Sequence, residues 1–153
     1  MNHSSRLALH LNSWCPPLLW GLAILLFSGD LGSSHNTFTL IWWVLSWVSE
    51  LSGAQLVFVH GALRKLGHML AYGVLTFLWF RSFQLHWPER RGLCLFLAAF
   101  SSLAVALMDE GHQSLVNSRS GSLRDIGWDM AGAGVAGCFV LAFGKIPTTR
   151  KQS

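Results

Sequence analysis

The chain has 153 residues, of which 52% are hydrophobic and only 12% are charged. Because charged residues make up about a quarter of soluble domains, this composition excludes an ordinary soluble domain and is typical of a membrane protein. The formal net charge of +4 is not gathered into a basic stripe, so we exclude nucleic acid as a partner. The length suits a single domain over residues 1–153.

Four stretches are long and apolar enough to cross a bilayer, since a spanning helix needs roughly 20 mostly apolar residues. The first contains PPLLWGLAILLFSG, and we predict its span at about 10–29. The Pro pair is expected at a helix start, where a missing N–H is harmless. The other spans are predicted at about 62–81, 91–109 and 123–144.

The segment at about 37–60, between the first and second spans, is apolar but ambiguous. Its tryptophans suit the membrane interface: Trp42, Trp43 and Trp47. Two polar residues and a glycine interrupt it near the middle: Glu50, Gly53 and Gln55. We expect an interfacial or re-entrant helical segment that does not cross the membrane.

The distribution of Lys and Arg decides between four and five crossings, because cytoplasmic loops are enriched in these residues. With four spans and a cytoplasmic N-terminus, seven basic residues lie inside: Arg6, Arg81, Arg90, Arg91, Lys145, Arg150 and Lys151. A fifth crossing leaves five inside and six outside, which removes the bias. We therefore predict an all-α membrane protein, a four-helix transmembrane bundle with both termini cytoplasmic.

The second predicted span opens with the polar motif RKLGHMLAY on the extracytoplasmic side. Lys65, His68 and Tyr72 are three or four residues apart, so they can share one helix face. Taken alone, His68 is better explained as a satisfied core residue. Because Tyr72 continues the same face, a polar site is the better interpretation.

The third span ends in MDEGHQ, on the same side of the membrane. If this helix continues past Met108, Asp109 and Gln113 are one turn apart, and Glu110 adjoins them. Two acids at the C-terminal end of a helix oppose its macrodipole, which prefers cations there. The placement indicates either a solvated helix end or acids that a basic partner or a ligand neutralises.

The fourth span opens with SRSGSLRDIGWDMAGAGVAG. Ser122 and Asp125 have the spacing of a capping box, which gives Asp125 a structural explanation. Asp129 lies one turn deeper, where an ionisable group costs about 2.5–3.5 kcal/mol and normally faces a partner or a wet cavity. Small residues such as Gly132 allow another helix to approach closely, so we expect Asp129 to face the bundle interior, with Arg119 as the natural cation.

These three groups place polar side chains at one depth on one side of the membrane. We interpret them as a candidate polar pocket formed by Lys65, His68, Tyr72, Asp109, Glu110, Gln113, Arg119, Asp125 and Asp129. A purely structural network of ion pairs is the alternative. Six acidic residues against four basic ones on this side argue against simple pairing.

The motifs RKLGHMLAY, DEGHQ, SRSGSLRD and DIGWDMAGAGVAG, in this order, resemble the VanZ-like family of small bacterial membrane proteins over roughly Leu18–Ala142. The resemblance implies a multi-pass protein of the bacterial inner membrane, from a family associated with low-level teicoplanin resistance. The recurrent polar residues of the family fall on the nine pocket residues, with Gly132 in the fourth span. One departure is Ala71, where many members have an acid before the Tyr.

We expect the pocket to bind the headgroup of an envelope lipid or glycolipid. The bilayer, anionic lipid headgroups and lipid-linked envelope precursors are the expected partners. One alternative is an intramembrane hydrolase or transferase with His68 or Glu110 as general base, and another is a small transporter, because intramembrane acids often mark ion paths. A metal site would use His68, Asp109, Glu110 and His112, but this spacing matches no standard zinc signature. We assign no catalytic residue, no metal and no cofactor.

Overall fold

A computed structural model describes residues 3–27, 39, 42–43, 52–115 and 122–143. These residues contain no strand, and their long helices are α1 (His3–Phe27), α2 (Gly53–His86), α3 (Arg91–Leu115) and α4 (Leu123–Phe143). The predicted all-helical fold is confirmed. In the described part of the chain, three helices are long and apolar enough to cross a membrane: Leu7–Phe27, Arg91–Leu115 and Leu123–Phe143. Helix α2 is longer, but Arg64, Lys65 and Arg81 lie within it.

Helix α2 begins at Gly53, earlier than predicted, because Ser52 caps it. The Ser52 hydroxyl accepts from the Gln55 amide (3.4 Å), and the Ser52 amide donates to Gln55 Oε1 (2.9 Å). This reciprocal pair is a capping box. Residues 53–60, which we assigned to the interfacial segment, are therefore the first turns of α2. Trp42 and Trp43 are helical and exposed, and the rest of the predicted segment before Ser52, apart from Thr39, lies outside the described residues.

The predicted helix start at the Pro pair is wrong. Helix α1 begins at His3 and carries Pro16 and Pro17 in its interior. A proline has no N–H to donate to the carbonyl four residues earlier, and its ring crowds that carbonyl. Two backbone carbonyls of α1 therefore lose their helical partners.

Helix α2 supplies donors to the two carbonyls that the prolines release. Arg81 Nη1 donates to Asn12 O over 3.0 Å, and Ser82 Oγ donates to Ser13 O over 2.5 Å. Asn12 and Ser13 are the residues four positions before the two prolines. The interruption in α1 thus becomes a specific attachment point between α1 and α2, because unsatisfied carbonyls are costly in a membrane.

The helices alternate in direction along the chain. Helix α2 is antiparallel to α1 and α3 and parallel to α4, and it packs against all three. These directions follow from the contact pairs Asn12–Arg81 and Trp20–Ala71, Tyr72–Asp109 and Thr76–Ser102, and Arg64–Asp125 and His68–Asp129. Helix α2 is therefore the central helix of the described structure.

The hydrophobic core lies along α2 in two clusters. One contains Tyr72, Leu75 and Ala106, with Ile24 of α1 and Ile126 of α4 packed against it. The other lies nearer the C-terminal end of α2 and contains Phe80, Cys94, Ala98 and Val140. The α3 residues in these clusters, Cys94, Ala98 and Ala106, are small, so α2 packs closely against α3. Apolar contacts therefore adjoin the polar end of the bundle on its inner side.

Candidate functional site: a buried polar cluster and an adjoining groove

Buried polar side chains gather where the first half of α2 meets the end of α3 and the start of α4. We define the polar cluster as His68, Tyr72, Asp109, Gln113 and Asp129. Asp129 and Gln113 are fully buried, Tyr72 and Asp109 are 1% exposed, and the His68 side chain is 19% exposed. The cluster is thus enclosed by protein on nearly all sides.

Helical spacing explains why these five side chains meet. His68 and Tyr72 are one turn apart on α2, and Asp109 and Gln113 are one turn apart on α3, so each pair projects from one face. The third helix does continue past Met108, the condition on which this spacing depended, since α3 ends at Leu115. The apolar span therefore continues directly into the polar site as one rigid helix.

Hydrogen bonds join the cluster across three helices. His68 Nδ1 lies 2.9 Å from Asp129 Oδ1, which connects α2 to α4. Asp109 Oδ2 accepts from the Tyr72 hydroxyl over 3.3 Å and from Gln113 Nε2 over 3.2 Å. The expectation that Asp129 faces the bundle interior is confirmed.

Close backbone contact between α2 and α4 makes the His68–Asp129 contact possible. A Cβ atom added at Gly132 would overlap the backbone of Met69, and one added at Gly73 would lie 3.3 Å from the Gly132 carbonyl oxygen. Only glycine lets the two backbones approach this closely. The predicted close helix approach is therefore confirmed at Gly132, one turn from Asp129.

Glu110 and Asp125 lie beside the cluster and have partners of their own. Glu110 accepts from the Ser122 amide, and Asp125 Oδ2 pairs with Arg64 Nη2 at 3.2 Å. The Ser122 hydroxyl accepts from the Arg124 amide over 3.2 Å. The predicted capping box between Ser122 and Asp125 is therefore not formed. The Ser122 hydroxyl caps α4 at Arg124 instead, Asp125 pairs with Arg64, and Glu110 accepts from the Ser122 amide.

Among the described pocket residues, Lys65 lies apart from the buried cluster. Lys65 is exposed, and its Nζ lies 5.3 Å from the centre of the Trp128 ring, a cation–π contact. Arg119 lies outside the described residues. His112, considered as a metal ligand, is exposed on the outer side of α3.

Sequence reasoning missed two polar residues that extend the cluster inward. Thr76 donates to the Tyr72 carbonyl over 2.8 Å, and its oxygen lies 2.8 Å from the hydroxyl of Ser102. Both are buried. Their spacing indicates that they share helix faces with cluster residues, because Thr76 follows Tyr72 by one turn and Ser102 precedes Asp109 by two turns.

Several oxygens at this site are buried and accept no hydrogen bond from the described residues. They are Asp109 Oδ1, Glu110 Oε1, Gln113 Oε1 and Asp129 Oδ2. Leaving a buried polar atom unsatisfied costs about 1–3 kcal/mol. Because all of these atoms are acceptors, the site is chemically suited to a cation or to a ligand with hydrogen-bond donors.

An apolar groove of about 460 Å³ lies between α2 and α4 on the outer surface of the pair. Its α2 wall is Leu66, Met69, Leu70, Gly73, Val74 and Phe77, and its α4 wall is Gly132, Val135, Ala136 and Phe139. Lys65 and Trp128 each lie one turn before a groove residue, Met69 and Gly132 respectively. A cation and an indole ring therefore stand at the polar end of the groove.

Three helices long and apolar enough to cross a membrane, together with a buried polar cluster, are typical of a helical membrane protein. The sequence profile of the VanZ/LLP1 family matches residues 18–144, so the chain belongs to the VanZ family, as its motifs predicted. No curated protein and no solved structure is significantly similar to the chain.

Proposed function

We propose that this VanZ-family protein binds an anionic envelope lipid, with an acyl chain in the α2–α4 groove and the headgroup at Lys65. The observation that carries the proposal is the position of the Lys65–Trp128 pair, one helical turn before the groove residues Met69 and Gly132. An apolar surface ending at a cation matches the two chemically different parts of a lipid. Tryptophan and lysine are also typical of the membrane interface, where headgroups lie.

The dimensions of the groove support an acyl chain as its occupant. On α2 the groove runs from Leu66 to Phe77, which at 1.5 Å per residue is about 16 Å along the helix. Half of the hydrocarbon core of a bilayer is about 15 Å. The groove is therefore long enough to hold one chain of a lipid from a single leaflet.

The chemistry of the headgroup follows from the residues at the polar end. Lys65 is exposed beside the groove, whereas Arg64 is paired with Asp125. A phosphate is the anion that such a lysine binds as a point charge. A phospholipid and a lipid-linked envelope precursor both present this phosphate, so the two are to be distinguished by experiment.

We expect a four-crossing topology in the bacterial inner membrane, with α2 as a span and the polar cluster at the extracytoplasmic end. Seven of the eleven basic residues then lie inside, and the alternating helix directions support α2 as a crossing. Alkaline phosphatase, which is active only outside the cytoplasm, should be active when fused within residues 116–121 and inactive when fused after Ser153. Activity in the opposite pattern would contradict the topology.

Replacing Lys65 with alanine should weaken the binding of phosphatidylglycerol about fivefold, because a lysine near anionic headgroups contributes about 1 kcal/mol. Binding of zwitterionic phosphatidylcholine should stay unchanged. Native mass spectrometry of the full chain in detergent, titrated with each lipid, measures both. A third titration with a polyprenyl phosphate identifies a lipid-linked precursor as the ligand if it binds more tightly than phosphatidylglycerol.

The matched control for Lys65 is Arg90, which is exposed in the connection between α2 and α3. Arg90→Ala removes the same charge and should leave phosphatidylglycerol binding at the wild-type level. If both variants lose the same phosphatidylglycerol affinity, the effect comes from net charge alone. If Lys65→Ala binds phosphatidylglycerol as the wild type does, Lys65 is not the headgroup site.

A further inference from the structure

Three side chains of the polar cluster converge from three helices in the arrangement of metal ligands. His68 of α2, Asp109 of α3 and Asp129 of α4 each offer one ligand atom, and these atoms all lie within 4.8 Å of one another. The set is a mixed one, with an imidazole and two carboxylates. Each ligand rises from a long helix, so the three are held by rigid elements.

The hydrogen bonds around Asp109 leave one of its oxygens without a partner among the described residues. Tyr72 and Gln113 both donate to Oδ2 of Asp109, while Oδ1 has no hydrogen bond from the described residues. Asp129 differs, because its Oδ1 lies beside His68 Nδ1, and a metal ion bound by both atoms would replace the hydrogen bond between them; its Oδ2 is unpartnered. Carboxylates oriented by donors to one oxygen are typical of the surroundings of metal ligands.

The charges near the two aspartates also favour a cation. Both carboxylates are at least 99% buried, and burial of an ionised carboxylate is costly unless a positive partner accompanies it. Arg64 is paired with Asp125, and Lys65 lies on Trp128. Within the described residues, His68 is therefore the basic group in contact with the pair formed by Asp109 and Asp129.

We propose that His68, Asp109 and Asp129 bind a first-row divalent metal ion such as Zn²⁺. Three protein ligands with an open position are the usual set of a non-structural zinc site. The imidazole favours this class over Mg²⁺ and Ca²⁺, which prefer oxygen ligands. The 2.9 Å between His68 Nδ1 and Asp129 Oδ1 is near the ~3.3 Å separating two tetrahedral ligands at zinc bond lengths.

This assignment differs from the sequence-based expectation of no metal, and it does not depend on lipid binding. The ligand set considered from sequence paired His68 and Asp109 with Glu110 and His112. In the structure Glu110 accepts a hydrogen bond from the Ser122 amide, and His112 is exposed. Asp129 replaces them, and its proximity to His68 arises only because α4 packs against α2.

Zinc titration into the chelator-treated full chain in detergent tests the site. Wild-type protein should bind one Zn²⁺ per chain by calorimetry and retain it in elemental analysis, with weaker binding of Mg²⁺. Asp129→Asn and His68→Ala should each lower the affinity more than the ~10- to 100-fold lost when an outer-shell partner is removed. Tyr72→Phe, which removes a donor to Asp109, should cause a smaller loss within that range.

Two controls make the result decisive. His112→Ala, an exposed histidine of α3, and Lys65→Ala should both keep wild-type zinc affinity. Zinc should raise the melting temperature of the wild type but not of Asp129→Asn, an isosteric variant that preserves packing. If Asp129→Asn and His68→Ala bind zinc as the wild type does, or His112→Ala abolishes binding, the proposed site is refuted.

Discussion

Gly132→Ala should destabilise the protein by about 3 kcal/mol, near the upper end of the range for over-packed cores. The added methyl group would overlap the carbonyl and Cα of Met69. These are backbone atoms, so no side-chain rotation relieves the overlap and α2 must move away from α4. Denaturant titration of the purified protein in detergent, followed by circular dichroism, measures the free energy of unfolding.

Gly134 of the same helix is the matched control for Gly132. A Cβ atom at Gly134 meets no atom within 4 Å, so Gly134→Ala should be neutral or stabilise by up to about 1 kcal/mol through helix propensity. The two variants add the same methyl group to α4. Equal stability of Gly132→Ala and Gly134→Ala would show that α2 and α4 are not in backbone contact.

His68→Ala should destabilise the protein by about 3–5 kcal/mol, the cost of leaving one member of a buried ion pair unpaired. Asp129 is fully buried, and His68 is its hydrogen-bond partner at 2.9 Å. Because the cost comes from the stranded carboxylate, His68→Ala/Asp129→Ala should lose less stability than the two single variants together. A double-mutant cycle in the presence of chelator measures this coupling, expected at about 1–3 kcal/mol.

The Arg64–Asp125 pair provides the internal comparison for this cycle. It joins the same two helices, but its side chains are 29% and 22% exposed. Solvent screening should limit its coupling to about 0.2–1 kcal/mol. A coupling between His68 and Asp129 no larger than that of Arg64 and Asp125 would contradict a buried, functional pair.

The helices and the burial of Asp129 could be predicted from the sequence because they depend on local chemistry. A run of apolar residues defines a span, and an acid inside it must face protein or water rather than lipid. Gly132 was recognisable for a related reason, since small residues in a span indicate helix contacts. These inferences do not require knowledge of which helix is the neighbour.

The identity of the neighbouring helix could not be read from the sequence. Outside their polar motifs, the membrane helices are apolar on all sides, so no polar stripe indicates which faces pack together. The proximity of His68 to Asp129, and of Lys65 to Trp128, depends on α2 and α4 lying side by side. The sequence placed His68, Asp109 and Asp129 in one nine-residue pocket, but it could not show which of the nine lie within ligand distance of one another.

The predicted starts of α2 and α1 were both wrong, each for a different reason. Ser52 and Gln55 have the capping-box spacing, so the start of α2 was present in the sequence, although Gly53 and Gln55 were interpreted as interruptions. The Pro pair was placed at a helix start because proline is usually excluded from helix interiors. Its tolerance in α1 depends on Arg81 and Ser82 of another helix, which is tertiary information.

Photolabelling by a phosphatidylglycerol with a diazirine in its acyl chain tests the proposed lipid site most directly. Adducts are located by mass spectrometry of the labelled full chain. The proposal predicts adducts concentrated on the groove residues Met69, Phe77 and Val135 and reduced by excess unlabelled phosphatidylglycerol. Labelling that falls equally on the exposed rings of Phe96 and Phe100 in α3, without competition, would contradict it.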